Sequence, residues 1–153
     1  MTTEIGKPAP DFTMDCDDGP VRLGDYRGKT LVLYFYPKDD TSGCTSQAKG
    51  FRDAMAAYRA AGVEILGVSK DSAASHAKFR AKHDLPFRLG SDPEGAACEA
   101  YGVWKEKSMY GRKYMGIERS TFLIDGTGMV RAEWRKVKVT GHAEAVLKAA
   151  QTL

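Results

Sequence analysis

The sequence is poor in cysteine: its 153 residues carry three, Cys16, Cys44 and Cys98, at wide and irregular spacing. That excludes the dense, evenly paired framework of a small disulfide-stapled scaffold. No Cys-x-x-Cys occurs, which argues against a dithiol–disulfide oxidoreductase. No apolar run approaches the length of a membrane helix. The opening MTTEIGKPAPDF lacks a basic region followed by an apolar one, so no secretory signal is expected. Net charge is only +3, with lysine and arginine spread along the chain. Neither nucleic acid nor a membrane is expected as a partner on that basis. The histidines, His76, His83 and His142, have no companions at metal-ligand spacing and read as surface residues, so no metal is expected. Repeats, linkers and low-complexity segments are also missing. What remains is an ordinary composition, 42% apolar and 28% charged, at a length that suits one domain over residues 1–153. A cytoplasmic, reducing compartment fits the cysteine usage.

The stretch that organises the rest runs from Thr30 to Phe51, TLVLYFYPKDDTSGCTSQAKGF. Leu31 to Tyr36 is a short apolar run without polar alternation, as in a strand buried on both faces. Pro37 ends it, and Asp39, Asp40, Thr41, Ser42 and Gly43 form a turn cluster. Beyond Cys44 the period becomes helical, with Ala48, Phe51, Met55 and Tyr58 on one face as far as about Ala61, where Gly62 stops the helix. Thr41 or Ser42 is the expected N-cap. Cys44 therefore falls in the first turn of a helix that follows a central strand. Free backbone N–H groups and the positive end of the helix dipole there favour a thiolate.

The flanking chain reads as α/β. Phe12, Met14 and Cys16 alternate with polar residues, and Asp17-Asp18-Gly19 turns the chain toward Val21 and Leu23, a small hairpin with Cys16 packed inward. Val63 to Ser69 is a second buried strand. A helix starting at Asp71 or Ser72 has Ala73, Ala77, Phe79 and Ala81 among its apolar positions. Pro86 to Leu89 is extended. Asp92-Pro93 opens a helix that holds Cys98 in the core and ends at Gly102. Trp104 to Glu118 is basic, aromatic and turn-rich, a loop over an active site. Thr121 to Ile124 and Met129 to Trp134 form a hairpin about Gly126-Thr127-Gly128. A last helix from about His142 to Leu153 sets Val146, Leu147, Ala150 and Leu153 on one face. Crossover helices make the early strands parallel, and the late hairpin adds antiparallel ones, giving a mixed central sheet with helices on both faces.

The spacing Pro-x-x-x-Thr-x-x-Cys, here Pro37, Thr41 and Cys44, resembles the active-site loop of peroxiredoxins, which are thiol peroxidases. YPKDDTSGCT, GKPAPDF and WKEKSMYGRKYMGIERSTFLID are similar to the subgroup called bacterioferritin comigratory protein, or peroxiredoxin Q, and together span most of the chain. The resemblance implies a thioredoxin fold with the peroxiredoxin additions. It implies Cys44 as the peroxidatic nucleophile, with the Thr41 hydroxyl beside thiolate and peroxide. It also implies backbone N–H groups of Gly43 and Cys44 holding the peroxide, and Pro37 shaping the pocket wall. Arg119 corresponds to the family's active-site arginine; its spacing alone does not set it apart from Arg112 or Arg131. The implied substrates are hydrogen peroxide and small organic hydroperoxides. Thioredoxin, glutaredoxin or a low-molecular-weight thiol is the implied reductant of a monomeric enzyme that needs no metal or organic cofactor.

The chain departs from the subgroup at the resolving thiol. Members carry a second cysteine at the position held here by Lys49, or on the next helix where Arg80 stands. A one-cysteine cycle resolved by an external thiol is therefore expected, with Cys98 as resolving residue left open. Gln47 replaces the glutamate of many relatives. Two rival readings are a thioredoxin-type disulfide oxidoreductase, disfavoured by the missing Cys-x-x-Cys, and a non-catalytic binding module, disfavoured by the intact Pro37, Thr41, Cys44 and Arg119.

Overall fold

A computed structural model describes residues 3–153. In chain order the elements are β1 (Thr13–Cys16), β2 (Gly19–Arg22), a 3-10 turn at Leu23–Tyr26, β3 (Thr30–Phe35), α1 (Ser42–Asp53), α2 (Met55–Ala60), β4 (Val63–Ser69), α3 (Ala73–His83), β5 (Arg88–Ser91), α4 (Ala96–Ala100), β6 (Trp104–Met109), β7 (Arg112–Ile117), β8 (Ser120–Ile124), β9 (Val130–Trp134) and α5 (His142–Gln151). Seven strands make one sheet in the order β2-β1-β5-β4-β3-β8-β9. β3 lies inside it, parallel to β4 and antiparallel to β8, and β5 is parallel to β4. The expected mixed sheet is thus present.

Strand alternation divides the core in two. Leu31, Leu33 and Phe35 point to a cluster with Cys16, Cys98, Tyr101 and Phe122. Val32, Tyr34 and Tyr36 point to the other, with Cys44, Phe51, Tyr58, Phe79 and Val146. Successive right-handed crossovers from β3 to β4 to β5 step the same way across the sheet, so their helices share a face. α1, α2, α3 and α5 supply the second cluster, and only α4 supplies the first. Helices cover both faces, but unequally. At Gly67 on β4 a Cβ would sit 2.8 Å from both the Tyr34 ring and Leu89, so glycine is what leaves room for that tyrosine. Among the described residues no helix is long and apolar enough to cross a membrane.

Several expectations need correction. The helix after Cys44 is interrupted at Ala54 (φ −95°, ψ 1°), although its buried face continues through Met55 and Tyr58. On α3 the buried residues are His76 and Phe79, and the small alanines do not reach the core. The helix around Cys98 starts at Ala96, not Pro93; Asp92 still caps it, accepting from the N–H of Ala97 at 3.2 Å and of Cys98 at 2.8 Å. Trp104 to Glu118 is not an irregular loop but the two-stranded ribbon β6–β7. Tyr110 and Gly111, both with positive φ (52° and 79°), form its tight turn. Leu153 lies past the end of α5 and is exposed.

Two of the three histidines are not surface residues. His76 is fully buried and His142 nearly so. His142 opens α5 and packs edge-on against Phe51 and Trp134, with Nε2 2.8 Å from the Thr121 hydroxyl. Burial, and secondarily the Arg119 guanidinium, push its pKa from 6.5 down to about 4. An unfolded chain binds a proton near 6.5 that the folded ring refuses. The stability this adds is therefore complete above that pH and is lost as pH falls toward 4. Urea unfolding at about pH 7 and about pH 4.5 should show a loss of about 1–3 kcal/mol from this group. His142→Gln should lack that part of the loss, and an equal decline in both proteins would refute the assignment.

Candidate active site

β3 delivers the chain through Tyr36 to Pro37 and a turn in which Asp40 adopts a positive φ of 62°. α1 then begins at Ser42 with Thr41 at the N-cap position. The Thr41 hydroxyl does not cap the helix; it donates to the Lys38 carbonyl at 2.9 Å, which leaves its lone pairs free to accept. The first intrahelical bond joins the Thr45 N–H to the Thr41 carbonyl at 2.8 Å. The N–H groups of Gly43 and Cys44 therefore have no partner in the helix.

Cys44 is 2% exposed. Arg119, on the link between β7 and β8, brings Nη2 to 3.4 Å from its sulfur and donates from Nη1 to Gln47 Oε1 at 2.7 Å. The backbone of Arg119 is itself held, its carbonyl accepting from Val137 N–H at 3.0 Å. A Cβ on residue 43 would lie 3.1 Å from Arg119 Nη2, so Gly43 permits the approach. Pro37, half-buried, has no N–H to divert. Thr41, Gly43, Cys44 and Arg119 are thus gathered around one helix start, and Pro37 stands at the head of the turn that leads to it. Arg131 instead pairs with Asp125 at 3.2 Å, and Arg112 is exposed on β7.

The other thiols are elsewhere. Cys16 and Cys98 lie in the cluster across the sheet from Cys44, and all three are free. Burial pushes Cys16 up to about 11. Burial and the Asp92 carboxylate raise Cys98 still further. Both are held as neutral thiols. Lys49 is exposed on α1, and Arg80 pairs with Asp17 at 2.9 Å.

Sequence reasoning missed three contributors. Gln47 is one helical turn past Cys44, and the i to i+3 spacing was visible, but its acceptor role depends on Arg119 arriving from far along the chain. Lys107 on β6 comes close enough for burial and Arg119 to lower its proton affinity, with Cys44 and Glu118 acting the other way. The third is a buried hydrogen-bond network around Asp39 and His76. No local pattern announces either of the last two.

Comparison with known proteins agrees with this geometry. Residues 5–133 match the AhpC/TSA family. A Bacillus subtilis relative named peroxiredoxin Bcp is 53% identical over 154 residues, covering 100% of this chain and 96% of its own. A Coxiella burnetii putative peroxiredoxin Bcp is 51% identical over 96% of this chain and 98% of its own. The solved structure of the Xanthomonas campestris bacterioferritin comigratory protein, studied for alkyl peroxide reduction, superposes with a TM-score of 0.91 at 44% identity, over 97% of this chain and 98% of that one. Mycobacterium tuberculosis BcpB gives 0.87 at 28% identity, over 99% and 98%. These neighbours share the thioredoxin fold of peroxiredoxins, and the chain belongs to the AhpC/TSA family as a peroxiredoxin of the Bcp, or peroxiredoxin Q, kind, a thiol-dependent peroxidase.

Proposed function

We propose that Cys44 is the peroxidatic cysteine of a one-cysteine peroxidase acting on hydrogen peroxide and small organic hydroperoxides. The observation that carries this is the Arg119 guanidinium 3.4 Å from a sulfur in the first turn of α1. The thiolate attacks the terminal peroxide oxygen. The S–O bond forms as the O–O bond breaks, sulfur is oxidised to sulfenic acid, and alkoxide or hydroxide departs to take up a proton. Negative charge moves from sulfur to the leaving oxygen. A fixed guanidinium fork serves both atoms, the N–H groups of Gly43 and Cys44 hold the peroxide, and the free lone pairs of Thr41 accept its O–H. Pro37 forms the wall. Gln47 supports Arg119 without a negative charge, so the arginine's charge is not offset as a glutamate would offset it.

Regeneration runs through an outside thiol. R–SH attacks the sulfenic sulfur, giving Cys44–S–S–R and water, and a second thiol releases the reduced enzyme. Thioredoxin, glutaredoxin or a low-molecular-weight thiol fits this step. The separation of Cys16 and Cys98 from Cys44 by the sheet supports the one-cysteine cycle, since a disulfide needs Cα atoms within about 4.4–6.8 Å. The same reading has the chain acting as a cytoplasmic, monomeric single domain over residues 1–153 that needs no metal or organic cofactor. The Xanthomonas protein's alkyl peroxide reduction is the parallel that favours organic hydroperoxides among the substrates.

Cys44→Ser should abolish peroxide consumption, while Cys16→Ser and Cys98→Ser leave it nearly unchanged. Peptide mapping after one equivalent of peroxide should find a trappable sulfenic acid and no linkage within the chain. A stoichiometric Cys44–Cys98 disulfide, with turnover lost in Cys98→Ser, would overturn the one-cysteine cycle and leave the peroxidase standing.

Arg119→Ala should slow the reaction with peroxide by about a hundredfold or more, the usual cost of removing a preorganised charge-stabilising donor. Arg131→Ala, whose partner is the surface Asp125, should stay within a few-fold of wild type. Stopped-flow rates under single-turnover conditions compare them, and similar rates for the two variants would show that the cation acting on sulfur lies elsewhere.

A further inference from the structure

Four of the six large hydrophobic side chains exposed among the described residues lie on one ribbon, β6–β7. They are Met109 (57% exposed), Tyr110 (98%), Tyr114 (44%) and Met115 (49%). The other two, Ile5 and Leu153, stand near the chain ends. Single exposed apolar residues are ordinary, but a cluster of them marks a contact surface.

The ribbon also concentrates charge. Between Trp104 and Ile117 stand Lys105, Lys107, Arg112 and Lys113 against Glu106 alone, four cations less one anion, a net of +3. The whole chain has a formal charge of +3, so its other residues balance to zero. Net charge over the whole chain, which argues against a membrane partner, conceals that local excess.

Strand pairing sorts these residues by face. The register sets Lys105 opposite Gly116, Lys107 opposite Tyr114 and Met109 opposite Arg112. Residues directly opposite share a face. One face therefore holds three cations, Met109 and Tyr114 with no acid. Glu106, Lys113 and Met115 are on the other, where Glu106 meets Lys113 at 3.6 Å. Lys107, on the acid-free face, feels the charges of Arg119 and Cys44, so that face belongs to the active-site side of the molecule.

A protein partner packs against one face of a ribbon. Here apolar side chains are exposed on both faces and at the turn, as suits immersion in a lipid interface. Phenol rings seat at headgroup level, and lysine and arginine stems lie along apolar surface while their charges reach phosphate. Interfacial elements bury apolar side chains about 5–10 Å deep. At about 3.3 Å per residue, Tyr110 stands about 10 Å beyond Lys107, which matches that depth. The electrostatic complement of the acid-free face is an anionic headgroup layer.

We propose that the β6–β7 ribbon docks this protein on an anionic membrane surface. Tyr110 and the two methionines enter the interface, and the cations of the acid-free face hold the headgroup phosphates. The chain lies on the surface and does not span it, and docking brings the neighbourhood of Cys44 to the lipid.

Co-sedimentation of the intact chain with vesicles tests this. The vesicles are phosphatidylcholine, alone or with about one-third phosphatidylglycerol. Binding is expected with the anionic vesicles alone, and it should weaken as NaCl rises from about 0.05 M to about 0.5 M, because salt screens the surface charge. Lys105→Glu combined with Arg112→Glu should weaken it about thirtyfold or more. Met109→Ser combined with Tyr110→Ser should weaken it about tenfold, through lost apolar burial. Lys7→Glu combined with Lys29→Glu changes net charge equally at the opposite end of the sheet, beside Val130 and the start of β3, and should cost far less than the ribbon pair. If near-ultraviolet circular dichroism shows a ribbon double variant unfolded, Tyr110→Ser alone, at the exposed turn, carries the comparison. Wild-type protein that ignores anionic vesicles at low salt would overturn the proposal, as would equal losses from the two charge-reversal pairs. Should wild type ignore vesicles while the Lys105 and Arg112 reversals slow turnover driven by thioredoxin, the ribbon is a protein-docking surface and the membrane assignment fails.

Discussion

A permanent positive charge has to be brought to a sulfur almost sealed from water, and much of the site follows from that contact. Arg119 arrives from the link between β7 and β8, far along the chain from α1, and meets Cys44 at 3.4 Å. Gly43 leaves space for it, since a side chain there would crowd Nη2 at 3.1 Å. Gln47 takes the other nitrogen with a neutral oxygen. His142 is kept neutral at ordinary pH by burial and by the same guanidinium. No carboxylate contacts Arg119 among the described residues, and its guanidinium faces the sulfur and the neutral Gln47 oxygen.

The sheet makes that meeting possible. β3 runs parallel to β4 on one side and antiparallel to β8 on the other. The carboxyl end of β3, which leads to the catalytic turn, therefore lies beside the amino end of β8, which Arg119 precedes. The register pairs Phe35 with Ser120, next to Arg119. Two segments distant in sequence are brought within a side-chain length by one antiparallel pairing. The same sheet separates thiols: Cys44 on α1 packs in the cluster on one face and Cys98 on α4 in the cluster on the other.

How much of this was legible depends on how local the signal is. The strand Leu31–Tyr36, the turn and the helix start at Cys44 are written in consecutive residues, and period and turn chemistry recover them. Val63–Ser69 and the hairpin of β8 and β9 are equally local. Arg119 is different. Spacing could not separate it from Arg131 or Arg112, because what distinguishes it is the pairing of β3 with β8; only the resemblance singled it out. The burial of His76 and His142 is hidden in the sequence for a related reason. A histidine among polar neighbours looks exposed unless its partners are known, and Asp39, Gly90 and Thr121 all come from other elements. The ribbon β6–β7 reads as a loop in the sequence because its residues are mostly exposed on both faces, which removes the apolar alternation that marks a strand.

Burial serves the two halves of the cycle in opposite ways. Excluding water strengthens the pull of Arg119 on developing charge, so a tightly held Cys44 suits attack on a small peroxide. On the proposed cycle the sulfenic acid that results inherits the same enclosure. A chain with a second thiol beside the pocket could resolve it after a small local movement. Here the candidate positions are Lys49, exposed on α1, and Arg80, engaged with Asp17, while the two remaining cysteines are buried neutral thiols across the sheet. On the one-cysteine cycle proposed above, the resolving thiol enters from solvent. The turn before Cys44 is tied down at Asp39, whose carboxylate accepts from the Tyr36 and Ser75 hydroxyls and lies 2.7 Å from His76 Nδ1.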